Sequence, residues 1–165
     1  MENIYFAKIK KNAKIPTKRE EDGAHDIYPC FDEPSIMIMP FESKLIPTGI
    51  ASAFSDNYVA VFRERGSTGI KNIKINAGVV DSGYRDEWFV LIYNGNKVPL
   101  CIAKNPDKIE KHFTKGSIVC YPYKKAIAQM LLLPVPKVNI VEKTYDEIKN
   151  IKSERGMGKL GSSRK

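Results

Sequence analysis

The chain has 165 residues, of which 42% are hydrophobic and 28% charged, a length and balance that suit one globular domain with a substantial core. No apolar run approaches the roughly 18 residues of a transmembrane helix, so we expect no membrane association. Residues 1–6 lack the basic and then apolar pattern of a secretory signal, so we expect a cytoplasmic protein. Three cysteines without C-x-x-C spacing and two distant histidines favour neither a disulfide framework nor a protein-held transition metal.

The net charge of +8 is concentrated at the two ends of the chain. Residues 1–19 carry six Lys or Arg against one acidic residue, and residues 143–165 carry seven against three, so residues 20–142 have a net charge of −1. A duplex-binding domain typically places its basic residues within the folded body, where they neutralise a row of phosphates. We therefore expect no nucleic-acid partner. The ends are interpreted as solvated surface, or, at the C-terminus, as a segment that closes over a small polyanion.

Short runs of β-branched and aromatic residues, separated by ten prolines and eleven glycines, predict a chain built mainly of strands. In chain order the predicted strands are residues 35–39, 58–63, 88–93, 98–102, 117–121 and 126–133. This pattern indicates an all-β sandwich or barrel. The exceptions are a short helix around residues 142–151 and a long polar connection at residues 104–116. Residues 153–165 contain three glycines and few apolar side chains, so we expect a β domain over residues 1–152 and then a mobile arm.

Residues 63–71 leave a predicted strand and enter a turn of Gly, Ser and Thr. Backbone amides, hydroxyls and the guanidinium of Arg65 could converge there on an anion. The alternative is a polar turn in which Ser67 caps a short helix.

Residues 76–88 read Asn-Ala-Gly-Val-Val-Asp-Ser-Gly-Tyr-Arg-Asp-Glu-Trp, an apolar approach followed by an acid at a tight turn and an aromatic three residues later. In such a hairpin Asp81 is a carboxylate able to take a proton from water, and Tyr84 offers a flat ring to a sugar or base. The alternative is a turn in which Asp81 bonds its own backbone and Tyr84 lies in the core.

Five segments, in the same order, resemble the motifs of the trimeric dUTP nucleotidohydrolases (dUTPases). The most specific match is the third motif, G-V-I-D-x-x-Y-x-G-E, which corresponds to residues 78–87 with only the later glycine replaced, by Asp86. The other four motifs correspond, in motif order, to Asp26 and to residues 65–69, 127–129 and 155–164. The chain is thus similar to a divergent bacterial or phage-type member of this family.

The resemblance implies a jelly-roll-like β domain that forms a homotrimer, with active sites shared between chains that hydrolyse dUTP to dUMP and pyrophosphate. Asp81 would be the general base for the water that attacks the α-phosphorus. Mg²⁺ would be held chiefly by the triphosphate, with Asp26 supporting it through water. Tyr84 would pack on the deoxyribose and leave no space for a 2′-hydroxyl. The other implied substrate-binding residues are Arg65, Gly66, Ser67, Thr68, Asn76, Gly78, Val79, Gln129, Arg155, Leu160, Gly161, Ser162 and Ser163.

Two residues depart from the family pattern. Gly66 stands where the second motif commonly has a serine, and Leu160 stands where the fifth motif usually has a phenylalanine that stacks over uracil. Because leucine cannot stack, we predict that Trp88 or Phe89 forms the lid over the base. The alternative is that both residues lie in the strand core, since alternate residues of a strand face opposite sides.

Two other functions are compatible with parts of the pattern. A dCTP deaminase shares a similar hairpin but needs a glutamate seven residues after the aromatic, where this chain has Leu91. Leucine performs no acid–base chemistry, so deamination is disfavoured. A dUTPase-fold regulatory or binding protein with weakened catalysis is suggested by Gly66, Leu160 and the basic ends. The presence of Asp81 and Tyr84 favours the enzyme over that alternative.

Overall fold

The structure, a computed structural model, describes residues 3–158. The chain divides into two compact units, residues 1–135 and residues 136–165. All strands of the described residues belong to the first unit, and the all-β prediction is confirmed. The expected start of a mobile arm at residue 153 stays a prediction. No helix within residues 3–158 has the length and apolar character needed to cross a bilayer.

Twelve strands and three helices of four or five residues make up the described chain. The strands are β1 Tyr5–Lys8, β2 His25–Ile27, β3 Ser35–Ile38, β4 Ser43–Pro47, β5 Ile50–Ala53, β6 Tyr58–Arg63, β7 Ile73–Asn76, β8 Val79–Val80, β9 Phe89–Asn94, β10 Leu100–Ala103, β11 Val119–Pro122 and β12 Ala128–Pro134. The helices are α1 Gly66–Gly69, α2 Pro106–Glu110 and α3 Tyr145–Lys149.

The strands form four small sheets, with orders β1-β5, β11-β10-β3, β2-β12-β6-β8 and β4-β9-β7. Pairing is antiparallel throughout the described sheets except between β10 and β11, which run parallel. A parallel pair needs a crossover connection, and α2 lies in that crossover, within the predicted polar connection. The Asn105 side chain caps α2 by accepting the Lys108 N–H at 3.1 Å, and Pro106 occupies its first turn.

The second unit contains the predicted C-terminal helix, which is confirmed as α3. Thr144 and Glu147 form a reciprocal capping box in which the Thr144 N–H donates to the Glu147 carboxylate at 2.9 Å. Every residue from 136 to 158 is exposed. This unit therefore owes its local order to capping and turns rather than to a buried core.

The core of the first unit is a cluster of aliphatic and aromatic side chains around Trp88, which is fully buried. The Trp88 ring packs edge-on against Phe6 and Phe62, with ring centroids 5.2 and 5.4 Å away. Its indole N–H has no hydrogen-bond partner within residues 3–158, a cost that the burial of so large a ring offsets. Trp88 directly follows the segment predicted to carry the chemistry, so the core fixes where that segment ends.

Candidate active site

A polar cavity of about 860 Å³ opens where three neighbouring strands meet, β2, β12 and β6. Gln129 on β12 lies opposite Asp26 on β2 and Arg63 on β6, which places residues far apart in sequence side by side. Five of the predicted site residues line this cavity: Asp26, Arg65, Gly66, Ser67 and Gln129. Strand pairing therefore assembles the first, second and fourth sequence motifs into one site.

Asp26 and Arg65 form a two-pronged ion pair in this cavity. The Arg65 Nε donates to Asp26 Oδ1 at 2.7 Å, and Nη2 donates to Oδ2 at 3.2 Å. Arg65 Nη1 also donates to the Ser67 hydroxyl at 3.3 Å. Both charged side chains are about 30% exposed, 28% for Arg65 and 31% for Asp26, so an incoming anion can reach the guanidinium.

The turn after Arg65 is held by Thr68. The Arg65 N–H donates to Thr68 Oγ1 at 3.0 Å, and the same hydroxyl donates to the Arg65 carbonyl at 2.9 Å. Thr68 is buried, so its hydroxyl shapes the turn beneath the cavity and is not among the lining residues. The predicted cap of this turn was Ser67, whereas the structure assigns the capping bonds to Thr68.

Gln129 is tied to the end of β6 through Glu64. The Gln129 Nε2 donates to the Glu64 carbonyl at 2.7 Å. The Glu64 carboxylate in turn accepts the Ile75 N–H at 3.0 Å, and this hydrogen bond lowers the pKa of Glu64. Glu64 thus joins the cavity strands to β7, which leads into the hairpin that carries Asp81.

The sequence reasoning missed one wall of the cavity, which is formed by the loop before β2. The lining residues from this loop are Thr17, Lys18, Arg19, Asp22, Gly23 and Ala24. Arg19 donates to Asp22 through Nη2 at 2.9 Å and through Nε at 3.0 Å, and this pairing lowers the pKa of Asp22. The signal available in the sequence is Lys18 and Arg19, the last two of the basic residues in 1–19, because cations that line the cavity beside Arg65 attract anions.

A second and more apolar pocket, of about 300 Å³, contains Asp81 and Tyr84. The remaining lining residues are Leu45, Ala77, Val79, Val80, Trp88 and Phe89. Asp81 directly follows β8 and is exposed, and its carboxylate makes no hydrogen bond or ion pair with residues 3–158. The Tyr84 N–H donates to the Asp81 carbonyl at 3.1 Å, which closes the turn between them. The structure thus places a free carboxylate beside an aromatic ring in one pocket.

Tyr84 is held at its phenol end as well. Its hydroxyl donates to the Glu87 carbonyl at 3.0 Å, and its side chain is 42% exposed. The alternative in which Tyr84 is a core residue therefore does not describe this structure.

The backbone that enters the hairpin is tightly constrained. Ala77 has φ of +47°, a left-handed conformation that is uncommon for a residue with a side chain. The Phe62 N–H donates to the Gly78 carbonyl at 2.6 Å, and a Cβ at Gly78 would lie 2.6 Å from the Phe62 carbonyl oxygen, so only glycine fits. Val79 is 64% exposed and faces the pocket, whereas Asn76 donates to the Ser43 hydroxyl at 3.3 Å and is not among the lining residues.

The two predicted lid residues have different environments. Trp88 is a core residue with no exposed surface, which corrects its assignment as a lid, because the ring would have to leave its packing against Phe6 and Phe62. Phe89 is 39% exposed and lines the pocket beside Tyr84. Neighbouring residues of an extended chain face opposite sides, so the Trp88 side chain points into the core and the Phe89 side chain points into the pocket.

The predicted residues of the fifth motif lie in the second unit or beyond the described chain. Arg155 donates from Nε to the Gly158 carbonyl at 3.3 Å, across a turn in which Gly156 has φ of +51°. Leu160, Gly161, Ser162 and Ser163 lie outside the described residues. Within residues 3–158 no group of three or more His, Cys, Asp or Glu side chains is placed to hold a metal ion.

Comparison with known proteins identifies the class of this fold and site as that of the nucleotide-hydrolysing dUTPases. A model of the dUTPase family matches residues 11–109, more than half of the chain. A deoxyuridine 5′-triphosphate nucleotidohydrolase of Clostridioides difficile is 30% identical over 168 residues, with 99% of each chain covered. One from Gloeothece citriformis is 31% identical over 164 residues, covering 97% of this chain and 95% of the relative. The chain belongs to the dUTPase family.

A solved structure confirms the fold. The Staphylococcus bacteriophage 80alpha dUTPase with dUPNHPP superposes with a TM-score of 0.69 at 23% identity, over 99% of both chains. The predicted family, the dUTPase type of all-β fold and membership of an enzyme family are therefore confirmed.

Glu64→Gln tests the link between the cavity and β7. At pH 7 the variant should lose about 1 kcal/mol of unfolding free energy, because an amide oxygen accepts the Ile75 N–H less strongly than a carboxylate. The folded-state pKa of Glu64 is lowered, so this stabilisation is present above the ordinary glutamate pKa and is lost as pH falls through the folded-state value. Urea unfolding at pH 7 and in acid should therefore show a difference that shrinks in acid. The exposed Glu33→Gln is the control, and a pH-independent difference would contradict the account.

Proposed function

We propose that the protein is a dUTP diphosphatase that hydrolyses dUTP to dUMP and pyrophosphate. The observation that carries the proposal is the pairing of Asp81 and Tyr84 in one largely apolar pocket. Membership of the dUTPase family and the names of the relatives support the same substrate. A separate cationic cavity supplies the contacts that a triphosphate requires.

Asp81 is proposed as the general base. Its exposed carboxylate takes a proton from a water molecule as the water oxygen bonds to the α-phosphorus. The bond from that phosphorus to the bridging oxygen breaks, and pyrophosphate leaves. Because the Asp81 carboxylate is not committed to another partner among residues 3–158, it is free to accept this proton.

Tyr84 is proposed to select the sugar. Its backbone N–H is bonded to the Asp81 carbonyl and the hydroxyl of its ring to the Glu87 carbonyl, so the ring forms a wall beside the Asp81 carboxylate. A deoxyribose packs on such a wall, whereas a 2′-hydroxyl meets the ring. The backbone of Gly78 and Val79 is proposed to bind the uracil edge, and Asn76 stays a more distant binding residue.

The cationic cavity is proposed to bind the phosphates through Arg65, Gly66, Ser67 and Gln129. Arg65 is already oriented by Asp26, so it presents its guanidinium without a large loss of side-chain entropy. The hydroxyl that Gly66 lacks is compensated by the Ser67 hydroxyl one residue later, which lies in the same cavity. Thr68 contributes indirectly, by holding the turn.

Mg²⁺ fits this cavity as an ion carried mainly by the substrate. The cavity contains two carboxylates, Asp22 and Asp26, and each is paired with an arginine. Oxygen ligands of this kind suit Mg²⁺ in a site that retains several waters, with Asp26 as the proposed outer ligand. When bound, the ion neutralises phosphate charge at the reacting centre.

A homotrimer with shared sites is proposed because the two pockets have no lining residue in common. The catalytic pocket of one chain would then meet the cationic cavity of another. The second unit supports assembly, because it exposes apolar side chains that include Val138, Ile140 and Ile151, at 74%, 97% and 59%. Arg155, Ser162 and Ser163 stay proposed phosphate-binding residues, and Leu160 and Gly161 stay proposed substrate-binding residues.

Two rival functions have less support. A regulatory or binding protein with weakened activity is suggested by Gly66 and Leu160. The exposed carboxylate of Asp81 beside Tyr84 favours the enzyme over that alternative. For a dCTP deaminase, Leu91 lies on β9 opposite Leu45 and Asn76 and offers no proton-transferring group.

Asp81→Asn should abolish turnover, because the amide has the size of the carboxylate but cannot accept the proton. We expect kcat for dUTP to fall by about 10²- to 10⁴-fold with KM changed only a few-fold. Pyrophosphate release with Mg²⁺, measured for dUTP beside dCTP, dTTP and UTP, provides the assay. Asp107→Asn, on the exposed α2, is the matched control. Retention of more than about a tenth of the rate in Asp81→Asn would identify another base.

Phe89→Ala should weaken binding of the base if Phe89 is the lid. Loss of one stacked ring corresponds to about a tenfold rise in KM for dUTP, with a smaller change in kcat. Phe113→Ala is the control, since Phe113 is equally exposed at 39% and lines neither pocket. Equal KM values for Phe89→Ala and Phe113→Ala would contradict the proposal that Phe89 is the lid.

A further inference from the structure

Glu87 is the last residue of the hairpin that contains Asp81 and Tyr84. It makes two hydrogen bonds, one through its side chain and one through its backbone. Its carboxylate Oε1 accepts the Gly49 N–H at 2.7 Å. Its backbone carbonyl accepts the Tyr84 hydroxyl at 3.0 Å. Glu87 therefore links Tyr84 to Gly49, which lies in the turn between β4 and β5.

Gly49 is a rigid point of attachment. It has φ of +68°, and a Cβ added to it would lie 2.9 Å from both Ala13 Cβ and Cys30 Sγ. Its carbonyl accepts the Ile9 N–H at 2.7 Å. Gly49 therefore lies against Ala13 and Cys30 and is hydrogen-bonded to Ile9, so the carboxylate of Glu87 is bonded to a donor that is itself held by its neighbours. Without that carboxylate the partly buried Gly49 amide would lose its acceptor, which is costly in a protein interior.

The chain after Glu87 is equally fixed. The Trp88 N–H donates to the Ile50 carbonyl at 2.9 Å, and the Trp88 carbonyl accepts the Thr48 hydroxyl at 2.6 Å. The chain before Glu87, in contrast, is an exposed turn over residues 83–86. The Tyr84 ring is held through the Glu87 carbonyl, which shares a peptide group with the Trp88 N–H. The Ile50 bond and the Gly49 contact together hold that carbonyl in place, and the Gly49 contact is the one that the Glu87 side chain makes.

We propose that Glu87 is a positioning residue that fixes Tyr84 against the sugar and thereby sets the preference for deoxyribonucleotides over ribonucleotides. This inference rests on the proposed function. Glu87 acts through Tyr84 and does not itself touch the substrate. Its loss should therefore impair the discrimination between sugars more than the catalytic step that Asp81 performs.

The test compares Glu87→Ala, Glu87→Asp and Glu87→Gln by the ratio of kcat/KM for dUTP to kcat/KM for UTP. We expect Glu87→Ala to lower this ratio about tenfold or more, since a ring displaced by a fraction of an ångström admits the 2′-hydroxyl. Glu87→Gln retains an acceptor oxygen at the same distance from the backbone, so its ratio should stay within about threefold of the wild-type ratio. Glu87→Asp, one methylene short, should lie between them.

Glu42→Ala is the matched control, because Glu42 also accepts a backbone N–H, that of Met39 at 2.8 Å, but on a different turn. It should leave the ratio unchanged. An unchanged ratio in Glu87→Ala and Glu87→Asp would overturn the proposal. If Glu87→Ala does not fold, Glu87→Asp decides, with an unchanged ratio again the contradicting result.

Trp88, the single tryptophan of the chain, gives a readout that does not require turnover. It is buried beside the pocket and directly follows Glu87, so we expect its fluorescence to respond to binding of dUMP and UMP. A wild type that binds dUMP selectively without cleaving dUTP would refute the proposed reaction alone. In that case the loss of dUMP preference in Glu87→Ala would still support the role of Glu87, and an unchanged dUMP preference in Glu87→Ala would refute that role. A wild type that binds dUMP and UMP equally would also refute it.

Discussion

The Trp88 ring, packed edge-on against Phe6 and Phe62 at 5.2 and 5.4 Å, joins the hydrophobic core to the segment that contains Asp81 and Tyr84. Because Trp88 cannot move without opening the core, the hairpin before it has a fixed end. Glu87, the residue before Trp88, is also held, because its carboxylate accepts the Gly49 N–H. The Tyr84 hydroxyl donates to the Glu87 carbonyl, which holds the ring in the pocket. The free carboxylate of Asp81 thus lies beside a ring whose position the core determines.

The polar cavity around Arg65 is organised by charge rather than by apolar packing. Arg65 is paired with Asp26, and Arg19 is paired with Asp22, so each cation of these pairs is held by a carboxylate before substrate arrives. Such pairs keep the guanidinium groups oriented and reduce the repulsion between them. If the proposed function holds, a triphosphate would compete with the aspartates for both arginines, and a bound Mg²⁺ would lessen the repulsion between the phosphates and the aspartates.

Much of the fold could be predicted from local patterns, whereas the site could be predicted only where a motif is continuous. Strands with long apolar runs, such as β6 and β12, can be predicted from the sequence. The strands β2 and β4 cannot, because β2 has only three residues and β4 begins with three exposed ones, so neither shows a clear hydrophobic period. Asp81 and Tyr84 lie close because they share one turn. The Asp26–Arg65 pair spans 39 positions and depends on the pairing of β2, β12 and β6, which no local pattern specifies. Alternation alone could not determine which of Trp88 and Phe89 faces inward.

We propose that a working site combines the Asp81 pocket of one chain with the Arg65 cavity of another. Mixing Arg65→Ala and Asp81→Asn chains, unfolded and refolded together in equal amounts, tests it most directly. Each variant alone should be inactive, and random assembly should restore about a quarter of the wild-type dUTP hydrolysis, because some sites receive both intact residues. A mixture as inactive as its two components would show that both residues must come from the same chain.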